Sequence, residues 1–208
     1  MKYAPFASRQ RQGYVRNASE RDLAVHLETA LRGVIIGDRW PKSGVEVIIT
    51  ILEGEEEYNC EGDLVQDSDS PSIGGGQWGL MAVLSGCITV ASAAIIDAGI
   101  DCVDMVTGGI AALIRNPSTS ASSSLPPLQI VLDPIPSEHS EILAACVIGY
   151  LPSRDEMTDI WVRGSFGDAS DKTSSYEELA DNAVQAALGS HRVLSAAVKE
   201  AVDIKLKR

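Results

Sequence analysis

Between Leu80 and Ile114 the chain reads LMAVLSGCITVASAAIIDAGIDCVDMVTGGIAALI, with small residues on every side of its first half. A run without a polar stripe predicts a helix buried on all faces. Its Ala, Ser and Gly content predicts unusually close packing. The run ends at Ala98-Gly99, with a glycine placed to close a helix in the left-handed conformation. The alternating segment that follows predicts a strand or strand pair over Val103–Ile114, kinked at Gly108-Gly109.

Leu80–Ile96 carries no charge and approaches the shortest length that spans a bilayer. It is rich in Ala, Ser, Thr and Gly, however, and Asp97 and Asp101 follow it in place of a basic flank. A core helix is the better reading, and no membrane is expected as a partner.

The remaining elements follow from periodicity. Met1–Ala7 alternates weakly, as a strand would. Over Asn17–Ile36, Leu23, Leu27 and Leu31 recur every fourth residue, which predicts a helix closed by Gly37-Asp38. Val45–Glu53 has β-branched residues on both faces, the pattern of a central strand. Residues 54–76 form an acidic, Ser/Gly-rich insertion, too polar to pack. The buried helix spans Gln77–Ala98. Residues 116–127 are a Ser/Pro-rich loop. Strands are predicted at Leu128–Leu132, Leu143–Leu151 and Asp159–Gly164. A closing helix runs over Ser174–Lys207, with Ser174 or Ser175 as its cap and Glu177 and Glu178 in its first turn. This order predicts an α+β fold, a mixed sheet with packed helices, in a single domain over residues 1–208.

The net charge of −12 is opposite in sign to that of a domain built to grip phosphates. Nucleic acid is expected only at a local basic patch, for which Arg9, Arg11, Arg16 and Arg21 are the candidates. The four cysteines are scattered without a CxxC, which argues against a zinc site or disulfide framework and suits a reducing compartment. Gly74 to Gly79 matches G-x-G-x-x-G literally, but an acidic loop and not a strand precedes it, so it reads as a loop before a helix start. His26 and His191 read as helix-surface residues. None of the three histidines has a second ligand at metal spacing, and no metal or other cofactor is expected. Asp133 stands at a strand end, six residues before His139, where a carboxylate can hold a metal or act as a base; a Pro/Ser-rich turn explains it as well. No nucleophile elbow or P-loop is present.

Several segments together resemble the RNase PH-like family, whose fold is that of ribosomal protein S5 domain 2. YAPFASRQRQGYVRNASERDLAVHLETALRGVI, from Tyr3, is similar to the family's arginine-containing strand-to-helix segment. WPKSGVEVIITILEGEE, from Trp40, resembles its central strand, and LSGCITVASAAIIDAGID, from Leu84, its packed helix. DPIPSEHSEILAACVIGYLPSRDEMTDIWVRGSF, from Asp133, resembles its last strands. The resemblance extends over nearly the whole chain. It also implies that an N-terminal strand pair seen in family members is missing, an N-terminal truncation that leaves the sheet short of strands.

Active members of the family cleave RNA by phosphorolysis, with arginines on the attacking phosphate and two carboxylates on a magnesium ion. Where they carry Gly-Gly-Thr-Arg-Thr-Ala, this chain has Gln77-Trp78-Gly79-Leu80-Met81-Ala82, so Leu80 stands at the phosphate-binding arginine. Asp133 matches the first paired acid and His139 replaces the second; magnesium prefers hard oxygen ligands. The resemblance therefore implies a catalytically silent subunit of the eukaryotic RNA exosome ring, in its fungal form, with no metal. Its implied partners are the other PH-like ring subunits, the cap subunits and RNA threaded through the central channel. Its implied places are nucleus, nucleolus and cytoplasm. The opposing expectation is an active phosphate-dependent 3′–5′ exoribonuclease working through altered groups.

Overall fold

The structure is a computed structural model, and it describes residues 1–7, 18–38, 41–53, 75–115, 128–135, 139, 142–164 and 176–207, excluding the side chains of 75–78. The predicted insertion at 54–76 (apart from its last two residues), the loop at 116–127 and the caps Ser174 and Ser175 lie outside the described residues.

Helix α1, Ala18–Arg32, buries Leu23, Leu27, Ala30 and Leu31 along one face, the stripe its four-residue spacing predicts. It stops short of Ile36 because residues 34–36 are drawn into a different pairing. Val34 is buried, Ile35 bridges Cys102, the Ile36 amide donates to the Asp101 carbonyl at 2.9 Å, and the Val103 amide donates to the Val34 carbonyl at 2.9 Å. Gly33 and the β-branched residues after it are poor helix formers, and two long-range hydrogen bonds fix the extended course.

Strands β1 (Lys2–Tyr3) and β2 (Thr50–Ile51) form a parallel two-stranded sheet. The central strand expected over Val45–Glu53 is not found: only Thr50 and Ile51 are strand, and the segment packs on one side. Val47, Ile49 and Ile51 meet the core, while Ile48 is 78% and Leu52 63% exposed. β-branched residues at successive positions report an extended chain, and burial of both faces needs a covering layer on each side.

Helix α2, Gly75–Asp97, begins two residues before the predicted start, so Gly75 and Gly76 belong to it and not to the insertion. Gly99 closes it with φ of 73°. The Ile100 amide donates to the Ile95 carbonyl at 3.2 Å and the Gly99 amide to the Ile96 carbonyl at 3.0 Å, the paired bonds of a Schellman cap.

The main sheet holds β3 (Thr107–Arg115), β4 (Leu128–Leu132), β5 (Ile142–Leu151) and β6 (Glu156–Gly164) in the order β4-β3-β5-β6, antiparallel throughout. Helices α1 and α2 cover one face. Helix α3, Tyr176–Leu206, covers the other through Leu179, Ala183 and Ala187. β3 serves both faces by alternation: Ile110, Ala112 and Ile114 join the α1/α2 core, and Ala111 and Leu113 join the α3 core. The kink expected at Gly108-Gly109 is absent. Gly108 pairs with Gly149 and Gly109 with Ile148 without a register shift. The glycines are required by approach: a Cβ on Gly108 would sit 2.1 Å from the Ser85 carbonyl oxygen of α2, and one on Gly109 2.1 Å from the Ala183 carbonyl oxygen of α3. Among the described residues, Gly79–Asp97 is long and apolar enough to cross a membrane, with mean hydropathy of 2.1; here it packs on β3, β5 and α1.

Because backbone blocks both positions, Gly108→Ala and Gly109→Ala should each cost about 1–3 kcal/mol or more in urea unfolding. Gly86→Ala, on an exposed helical position with no atom within 4 Å of the new methyl, should instead stabilise by up to about 1 kcal/mol. Equal effects at the three positions would refute close backbone packing as the reason for the glycines.

Candidate functional site

Leu80 lies in the first turns of α2, half-buried, with its side chain packed against the α1/α2 core. Val131, two residues before Asp133, packs against the same core. Asp133 follows β4 with φ of 44°, a left-handed conformation that a short polar side chain tolerates. Its amide donates to the Ile110 carbonyl at 3.0 Å, and its side chain is exposed. Pro134 next to it is buried, and His139 is half-buried. The end of β4 and the start of α2 are thus tied to one body of packed side chains, which holds Leu80 as an apolar contact. Leu80 offers no charge to an anion. Among the described residues, no three His, Cys, Asp or Glu side chains gather to hold a metal ion.

Of the basic patch, Arg9, Arg11 and Arg16 lie outside the described residues. Arg21 is exposed in the first half of α1. Two open hollows, of about 380 and about 360 Å³, lie elsewhere. The first follows α1 past Val25, Glu28 and Arg32; the second sits beside Gly99, Asp101 and Asp104. Leu80, Asp133 and His139 line neither.

The reading of His26 as a surface residue is corrected. Its Nδ1 lies 3.1 Å and 3.3 Å from the two carboxylate oxygens of Asp159, whose side chain is 7% exposed. Its ring stacks on Trp161, with centroids 4.8 Å apart and 17° between planes, and the Arg163 guanidinium lies over the same indole at 5.2 Å. The column joins α1 to the edge strand β6. His26 is more than 130 residues from its partners on β6, so no local pattern announces the contact. Alternation itself misleads here, because the apolar phase, Ile160 and Val162, is exposed and Asp159 lies on the buried phase.

His191 is also half-buried. Its Nε2 lies 3.9 Å from Asp104, and among the described residues no hydrogen-bond partner reaches that buried nitrogen. Asp104 accepts from the amides of Met105 at 2.7 Å and Ser153 at 3.0 Å, which ties the start of β3 to the β5–β6 turn. Tyr150 bonds Asp155 across that turn, and this hydrogen bond, with burial, raises the Tyr150 phenol above its ordinary value. Burial pushes the Cys87 and Cys146 thiols up to about 11, and burial with the nearby Asp101 charge raises Cys102. Protonated thiols are poor nucleophiles, so these cysteines act as packing groups.

Residues 1–101 match the family of 3′ exoribonucleases, RNase PH, domain 1. The matched stretch runs from β1 through α2, within the α+β architecture described above. It is 52% identical over 202 residues to the exosome complex component MTR3 of Chaetomium thermophilum, covering 97% of this chain and 65% of that protein. It is 28% identical over 164 residues to the exosome complex component mtr3 of Schizosaccharomyces pombe, covering 78% and 51%. To the human exosome complex component MTR3 it is 25% identical over 164 residues, covering 79% and 48%. The chain thus spans between about half and two thirds of the lengths of these curated relatives.

Two measurements check this chemistry. Native protein at pH 8 should leave Cys87 and Cys146 unlabelled by a thiol reagent that modifies both after unfolding. Both folded-state values lie above the ordinary 9.0, so the thiols favour folding below pH 9. Unfolded thiols ionise first as pH rises, so stability should fall between pH 9.0 and about 11. A Cys87→Ala, Cys146→Ala variant should show a smaller fall. Separately, a double-mutant cycle of His26→Ala and Asp159→Ala should give a coupling of about 1 kcal/mol, with additive effects overturning the contact as a stabilising one.

Proposed function

We propose that this chain is a non-catalytic structural subunit of the RNA exosome ring, which supports 3′-to-5′ RNA processing and degradation by positioning RNA in the central channel. The observation that carries the reading is the 52% identity to exosome complex component MTR3 over nearly the whole chain. The local chemistry supports it. Phosphorolysis needs cationic groups on the attacking phosphate anion and a metal to offset developing charge, and positioned charge of this kind supplies most of the rate. At the position that the family gives to its phosphate-binding arginine, Leu80 packs against apolar neighbours. His139 stands in place of the second acid, and a lone Asp133 is a weak magnesium ligand.

The partners are the neighbouring PH-like subunits of a six-membered ring, the cap subunits on one face and the threaded RNA. The net charge of −12 suits association with basic neighbours more than independent capture of RNA. Arg9, Arg11, Arg16 and Arg21 contact RNA phosphates without reading sequence. The protein works in nucleus, nucleolus and cytoplasm.

Affinity purification of the tagged protein from its own cells should recover the PH-like ring proteins and caps in stoichiometric amount. Recovery of chaperones alone would overturn the reading. The purified chain, incubated with single-stranded RNA, inorganic phosphate and magnesium, should release no nucleoside diphosphates above background; release that depends on phosphate would favour an active exoribonuclease. In the assembled ring, Arg9→Glu with Arg11→Glu should weaken RNA crosslinking and leave assembly intact. Unchanged crosslinking would remove the arginines from the RNA path.

A further inference from the structure

We draw no further inference here: the strongest candidate, the uncovered apolar strip of α2 that runs through Gly86, Val90 and Ala94, carries nothing, because nothing in the structure shows what covers it.

Discussion

The architecture depends on one close approach, in which the backbones of two helices press against opposite faces of β3 at consecutive residues. Ser85 of α2 meets Gly108, and Ala183 of α3 meets Gly109. Contact this tight leaves no room for side chains, so the hydrogen bonds there are made by short groups. The Gly108 amide donates to the Thr89 hydroxyl at 3.0 Å, and the Thr107 hydroxyl donates to the Ala187 carbonyl at 2.9 Å. Each of these groups is buried or partly buried, and an unpaired one would be costly. The composition of the core follows from this geometry. Ala111, Ala112, Ala144 and Ala145 continue the small residues along β3 and β5, and larger side chains such as Leu84, Ile88, Leu113 and Ile148, the last paired with Gly109, fill the space between the layers. Small residues interspersed with branched ones keep the three layers close.

That constraint explains which parts of the fold could be read from the chain. A buried helix leaves its mark in composition alone, so α2, its glycine cap and the strand after it were legible from residue types and their order. β4, β5 and the closing helix were legible for the same local reason. Gly108-Gly109 shows the limit of such reading. Two glycines in a strand signal either a bend or a close neighbour, and the choice depends on α2 and α3, which meet them from over 20 residues and over 70 residues away in sequence. The end of α1 shows it again. Gly33 and the β-branched run Val34–Ile36 weaken a further helical turn, but only the later pairing with residues 101–103 fixes where the chain goes instead. Val45–Glu53 failed for the complementary reason, because burial of a second face is decided by what lies over it.

The candidate site divides along the same line. Leu80, Asp133 and His139 could be singled out because a family resemblance assigns positions to roles. Their placement adds that Leu80 is held by packing, and that Asp133 follows a strand whose Val131 reaches the same core. The His26–Asp159–Trp161–Arg163 column has no such guide. A histidine on the half-buried flank of α1 looks like any other helical histidine until a carboxylate on β6 is brought beneath it. Contacts between distant residues that have no family role are the ones that a single sequence conceals.

Charge at position 80 and the packing of the fold are physically separable. An arginine at that position, half-buried against apolar side chains, needs an anion or carboxylate to offset its desolvation. In an enzyme the substrate phosphate supplies that partner. Without a bound phosphate, an arginine there would remain as an unpaired charge beside the core. Leucine removes this cost and adds apolar contact to the cluster that includes Met81 and Leu84. The glycines at 108 and 109 have no comparable freedom, since both are blocked by backbone. Packing at position 80 is thus satisfied without a charge, while the packing requirements of the sheet stay fixed. On that argument, the glycines and alanines of β3 should resist substitution more strongly than Leu80, Asp133 and His139.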